Sequence, residues 1–391
     1  MGTAVEVGLP ERVRDRFPIL ARRVYVNSCS QGALSTDVAD ATAAYLASWH
    51  EHGSPWDAWV EQVEQLRRRF AVSIGALPEE IAVMPSASAG INAVASALCF
   101  EPPRNAVLMG EFEFPTMAQA WLAQQRRGAV IRWVKADGDE LPGRSYAEAV
   151  GEDTLIVPLT HVCFRNGFRT DVEAITRACH ERGALVMLDD YQRSGSGPID
   201  VHTLGVDFMV TGCLKYLLGT AGIAFLYVRR DLVERFEPTV TGWFGRKNPF
   251  AFSIDTLDWP AAASRFESGT PPVINAYAAS AALDLLARAG QETIGREVAR
   301  LVDRFATGAR AAGCLVRTPA EPARRGPLVV VQSVDAPALV ARLESRGIIA
   351  SCRGAGLRVA FHGYNNEQDV DAVLDALRAE PELCAPRTSP S

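Results

Sequence analysis

The chain has 391 residues, a formal net charge of -6, 48% hydrophobic residues and 22% charged ones. That is ordinary globular composition. The scattered charge argues against a nucleic-acid binder, which would gather basic residues on one face, and no apolar run reaches the roughly 18 residues of a membrane span.

The opening MGTAVEVGLPERVRDRF lacks an apolar signal core, so secretion is not expected. Residues 1–20 read as an N-terminal arm. Strand-like runs then recur at EEIAVM, NAVLMGEF, AVIRWV, DTLIVPLTHV, ALVMLDD, VDFMV and GIAFLYV. Helical patterns lie between several of them, such as PTMAQAWLAQQRRG and TDVEAITRACHERG. This alternation predicts an α/β fold with a mainly parallel sheet and helices on its faces, spanning residues 21–265. Near-continuous apolar strands fit a sheet buried on both sides. The pattern then changes. Two long helices, the short strands PLVVVQS, GIIAS and LRVAFH, and the helix NEQDVDAVLDALRAE predict a smaller α+β domain over residues 266–380. Residues 381–391 read as a flexible tail.

The eight cysteines stand singly, without zinc spacing, and read as reduced thiols of a cytoplasmic protein. Only three lysines occur against 37 arginines: Lys135, Lys215 and Lys247. Lys135 and Lys247 sit in polar turns. Lys215 ends the apolar stretch VDFMVTGCLK, where an amine is costly unless something uses it. A buried lysine with a depressed pKa is the usual nucleophile for carbonyl chemistry. Asp189 ends an apolar strand, the place where sites of open α/β sheets collect. The run MPSASAGINAV turns from strand to helix through small residues, which suits a phosphate at a helix N-terminus. A plain serine cap fits it equally.

Together these residues resemble the class V aminotransferase superfamily of fold type I pyridoxal-phosphate enzymes, in the branch with kynureninase and cysteine desulfurase. The resemblance runs from about Val24 to Leu377, centred on LVMLDDYQRSGSGPIDVHTLGVDFMVTGCLKYLLGTAG. It implies a seven-stranded-type sheet and pyridoxal 5'-phosphate as cofactor. It implies a Schiff base on Lys215, which also shuttles the Cα proton, with Asp189 on the pyridine nitrogen and Gln192 on the phenolic-oxygen side. Ala87 and Ser88 fall at the phosphate turn, Phe114 stacks on the ring, and Trp243 matches a Gly-Trp element. Thr270 reaches a neighbouring subunit's phosphate, so a homodimer with shared sites follows. Arg358 grips the substrate α-carboxylate.

The chain departs from the pattern at Gly212 and Leu214, where the family often has side chains that serve the phosphate. Cys352 lies too close to Arg358 to act as a mobile sulfur acceptor. The expected reaction is a C–S β-lyase acting on a cysteine S-conjugate, with Cα deprotonation. The alternatives are decarboxylation-coupled oxidative deamination of such a conjugate in natural-product biosynthesis, kynureninase-like hydrolysis, transamination, or a binding protein that has kept only the fold. The N-terminal VYVNSCSQGALS is expected to line the substrate pocket, and WHEHGSPWDAW to recognise the side chain.

Overall fold

The computed structural model describes residues 8–385. The first seven residues of the expected arm, and residues 386–391 of the expected tail, lie outside that range.

Twelve strands occur in chain order among the described residues. They are β1 (Val24–Tyr25), β2 (Ile81–Met84), β3 (Ala106–Gly110), β4 (Val130–Val134), β5 (Thr154–Thr160), β6 (Leu185–Asp189), β7 (Phe208–Gly212), β8 (Ala224–Val228), β9 (Leu328–Gln332), β10 (Ile348–Ile349), β11 (Ser351–Arg353) and β12 (Gly356–Ala360). The seven strands β2 to β8 form one sheet in the order β2-β8-β7-β6-β5-β3-β4. Only β8 runs against the rest, pairing antiparallel with both β2 and β7. The C-terminal ends of the other six therefore share one edge. Strands β2, β3, β7 and β8 are buried along their whole length, as their unbroken apolar runs require. β4 is an edge strand, with Val130 and Trp133 exposed.

The helices Thr36–His52 and Trp56–Ser73 pack against the helix Val273–Ala289. This disposes of the expected side-chain reader. WHEHGSPWDAW forms the junction of the first two helices, where Trp59 is buried and Tyr45 contacts it at 5.4 Å between ring centroids. None of its residues lines the cavity described below. Trp59 serves helix packing, while Trp49 is exposed.

The second sheet, β11-β12-β9, is antiparallel throughout. The N-terminal segment joins this part of the molecule. β1 pairs in parallel with β10, and Asn27 bridges to Ala360. Ahead of it, Leu9, Val13 and Phe17 are buried, and Arg14 forms an ion pair with Asp369 at 2.8 Å. Residues 381–385 do not behave as a loose tail. Ala385 donates to the Gln332 carbonyl and accepts from the Leu315 amide, so this segment is tied to the end of β9.

Candidate active site

Six strand ends meet at one edge of the large sheet, and the chemistry-bearing residues follow directly from them. Asp189 is the last residue of β6, and Lys215 comes three residues after β7. Beyond β2, the helix Ala87–Ala97 begins at that edge, with Ser86 as its N-cap accepting from the Ala89 amide at 3.1 Å. A cavity of about 310 Å³ opens there. Ala87, Ser88, Phe114, Asp189, Gln192, Lys215 and Arg358 all line it.

Lys215 is half-buried, and desolvation pulls its amine down to about 8 against the smaller opposing pull of Asp189. Among the described residues its amine has no carboxylate within ion-pair distance. Instead it lies 4.3 Å from the Tyr191 ring centroid and 5.6 Å from that of Phe114. Burial pushes the Asp189 carboxyl up to about 6; its one hydrogen bond comes from the Tyr191 amide at 3.0 Å. Asp190 points the other way, as strand alternation requires. It holds His161 and Ser194, each at 2.5 Å.

The opposite wall comes from the small sheet. Arg358 on β12 is 2% exposed. It donates to the Phe164 carbonyl at 3.3 Å and to the Ser351 hydroxyl at 3.1 Å, and its Nε has no partner. No carboxylate of the described residues pairs with it. A buried guanidinium without an anion is costly, and this one keeps a donor free on the cavity wall.

Sequence reasoning missed several lining residues. Tyr191 is one, and the geometry at Gly212 reveals why. A Cβ on Gly212 would lie 2.1 Å from the Tyr191 hydroxyl. The phenol thus occupies the space that a side chain three residues before Lys215 would need. A Gly paired with a nearby Tyr was the available signal, but only tertiary contact makes them neighbours. Thr116, whose hydroxyl lies 2.7 Å from that of Ser88, was missed too. So was Cys29, whose carbonyl accepts from Gln192 at 3.0 Å, although its segment was expected here.

Trp243 and Thr270 are not brought to this cavity. Trp243 contacts Phe244, Phe250 and Phe252 in a surface loop, and Thr270 is exposed. Cys352 follows the strand alternation away from Ser351 and Arg353 and does not line the cavity.

The N-terminal segment clamps the lysine loop. The Gly32 amide donates to the Leu214 carbonyl at 2.7 Å, and a Cβ on Gly32 would lie 2.5 Å from the Lys215 carbonyl oxygen. Gly32→Ala is therefore expected to cost about 1–3 kcal/mol, as overpacking does, read as a lower melting temperature.

The sequence profile of the Aminotransferase class-V family matches residues 28–373. The chain belongs to the class-V aminotransferase family. An uncharacterized aminotransferase of Bacillus subtilis, YcbU, is 32% identical over 95% of this chain and 98% of its own length. A kynureninase of Pseudomonas fluorescens is 28% identical, covering 87% of this chain and 84% of that one. Among solved structures, a cysteine desulfurase of Thermococcus onnurineus superposes with a TM-score of 0.87 at 22% identity, covering 96% of this chain and 99% of that one. A cystine C–S lyase does so with a TM-score of 0.84 at 23% identity, over 93% and 99%. These overlaps establish the shared fold.

Class-V aminotransferases are enzymes that work with pyridoxal 5'-phosphate, and this chain's cavity fits that group. It holds a half-buried amine with no carboxylate partner among the described residues, a buried carboxylate with a single neutral partner, and an aromatic ring beside them. Hydroxyls and the first amides of an eleven-residue helix stand at its end. Lys215 would hold the cofactor, Asp189 would face its ring nitrogen, and the Ser86–Ser88 turn with Thr116 would take its phosphate. When bound, the group supplies an electron sink for the substrate Cα.

The lowered amine pKa gives a direct expectation. Raising pH increases the free base, so reductive trapping of pyridoxal phosphate on the apo chain should rise through about pH 8 and level off above it. Ordinary surface lysines would respond about two pH units higher. Peptide mapping should place the adduct on Lys215, since Lys135 is already engaged by Glu111 at 2.7 Å.

Proposed function

We propose that this class-V enzyme is a C–S β-lyase acting on an L-cysteine S-conjugate. The observation that carries the reading is the buried Arg358, which has no anion of its own and faces the same cavity as the Lys215 amine. That pair suits an α-amino acid, with the carboxylate on Arg358 and the Cα hydrogen toward Lys215. Lys215 takes the Cα proton as its free base, which a pKa of about 8 makes available near neutrality. Asp189 keeps a negative charge on the cavity lining, where it favours a protonated ring nitrogen. Phe114 and Tyr191 shield the amine from bulk water. Loss of the Cα proton and departure of the thiolate from Cβ give free thiol, pyruvate and ammonia after hydrolysis.

Two features favour β-elimination over persulfide transfer. Cys352 faces away from the cavity. Cys29 does line it, but is packed among Val162, Tyr216, Leu328 and Val330, so it lacks the mobility a sulfur carrier needs. The cystine C–S lyase among the structural neighbours shows that the fold accommodates such chemistry.

Incubation of the holoenzyme with cysteine S-conjugates should release thiol and pyruvate in equal amounts. Carbon dioxide with an aldehyde would instead indicate decarboxylative deamination, and anthranilate from kynurenine would indicate hydrolysis. Either result without pyruvate sinks the lyase reading.

We also infer a homodimer in which Trp243 and Thr270 complete the partner's site. The support is an exposed apolar strip, Phe250, Phe252, Ile254 and Leu257, on the loop that carries Trp243. Thr270→Ala is expected to weaken cofactor retention about tenfold, the scale of one charge-assisted hydrogen bond, measured by equilibrium dialysis. Sedimentation as a monomer at micromolar concentration would refute the shared site.

A further inference from the structure

The cavity wall opposite Lys215 carries two guanidinium groups, and so far only one has been given work. β11 and β12 form an antiparallel hairpin in which Ser351 pairs with Arg358 and Arg353 pairs with Gly356. Directly paired residues share a face, and so do residues two apart on one strand. Ser351, Arg353 and Arg358 therefore project from the same side. The 3.1 Å bond between Arg358 and the Ser351 hydroxyl confirms it for that pair. Both arginines line the cavity. Along a strand two residues advance about 7 Å, so the second cation stands roughly that far beyond the first, toward the exposed hairpin tip at Gly354.

Several arginines of this protein are spent on carboxylates: Arg317, Arg324 and Arg325 each hold one within 2.8 Å. Among the described residues Arg353 pairs with none, and its one hydrogen bond goes to the neighbouring Cys352 carbonyl at 3.0 Å. Asp189 is the sole carboxylate on the cavity lining among the described residues. Arg353 also lies near enough to Lys215 for its charge to act on the amine.

The geometry points to Arg353 as a specificity residue that receives a second anionic group, a carboxylate on the substrate's side chain about two strand positions beyond the α-carboxylate. The inference rests on the lyase reading for its substrate class, an S-conjugate whose sulfur substituent ends in a carboxylate. The two-arginine wall itself does not depend on which bond breaks. With the α-carboxylate on Arg358 and the distal carboxylate on Arg353, the carbon–sulfur bond spans the stretch of cavity facing Lys215.

The test compares S-carboxymethyl-L-cysteine with its neutral near-isostere S-carbamoylmethyl-L-cysteine on the holoenzyme. Wild type should prefer the carboxylate by about tenfold in kcat/KM, the effect of one charge-assisted contact. Arg353→Gln should remove that preference, chiefly through KM, lowering kcat/KM for the carboxylate about tenfold more than for the amide. Arg353→Lys should keep part of it, because charge survives and the planar fork does not. In parallel, calorimetry measures holoenzyme affinity for glutarate and for butyrate, neither of which can react because neither carries an amine. Glutarate should bind wild type about tenfold more tightly, and Arg353→Gln should erase the difference. If neither cysteine conjugate is cleaved, the lyase reading falls, and the inference is judged on glutarate alone. Equal losses on both conjugates in Arg353→Gln, or equal affinity of wild type for glutarate and butyrate, overturn it. Arg353 is exposed at a hairpin tip, and an unchanged melting temperature will separate recognition from misfolding.

Discussion

Replacing Lys215 with alanine is expected to abolish covalent cofactor retention and to lower turnover by at least about a thousandfold. Positioned proton transfer alone contributes roughly 10²–10⁴, and the substitution also removes the only lysine amine on the cavity lining. Lys135 is 78% exposed and tied to Glu111, and Lys247 is exposed on a loop. Neither lies on the cavity lining. The loss should be visible as failure of borohydride to fix the cofactor to the polypeptide. A small amine such as methylamine should restore part of the activity, because it can occupy the vacated volume and carry the proton. A fully active Lys215→Ala protein would remove the basis for the whole site.

Asp189→Asn is expected to have the second-largest effect, a loss of about a hundredfold to a few thousandfold in kcat. The substitution preserves shape. The carbonyl of the new side-chain amide can still accept from the Tyr191 backbone N–H, the only hydrogen bond the Asp189 carboxylate makes among the described residues. What disappears is a negative charge in a fully buried position. Leaving a buried cation without its counter-charge costs about 3–5 kcal/mol, and each 1.36 kcal/mol is tenfold in rate. The cofactor's absorbance should move with the loss, since the protonated ring form is no longer favoured. A merely structural Asp189 would give the opposite result: a small change in kcat and a normal spectrum.

The strands were legible because burial on both faces leaves long apolar runs, and all seven runs of the large sheet became strands. Lys215 and Asp189 were legible for the converse reason. A charged residue at the end of such a run conflicts with its surroundings, and the structure brings both of these residues to one cavity. The pocket position of VYVNSCSQGALS was legible only through the family resemblance. Its physical cause is the β1–β10 pairing and the Gly32 contact with the Lys215 carbonyl. WHEHGSPWDAW misled because aromatic residues read alike whether they pack helices or face a ligand. Residues 381–385 misled because a single β-bridge, at Cys384, leaves no periodic signal.

The sequence by itself therefore determined the layer architecture, the family and the residues whose chemistry clashes with their apolar context. All of these depend on local order along the chain. Tertiary structure alone decided that Tyr191 fills the space above Gly212, that Cys352 faces away, and that Arg353 shares a wall with Arg358. Each of those is a matter of direction between segments far apart in sequence or on facing strands. Side-chain direction follows from strand register and close backbone approach, which composition and spacing do not encode.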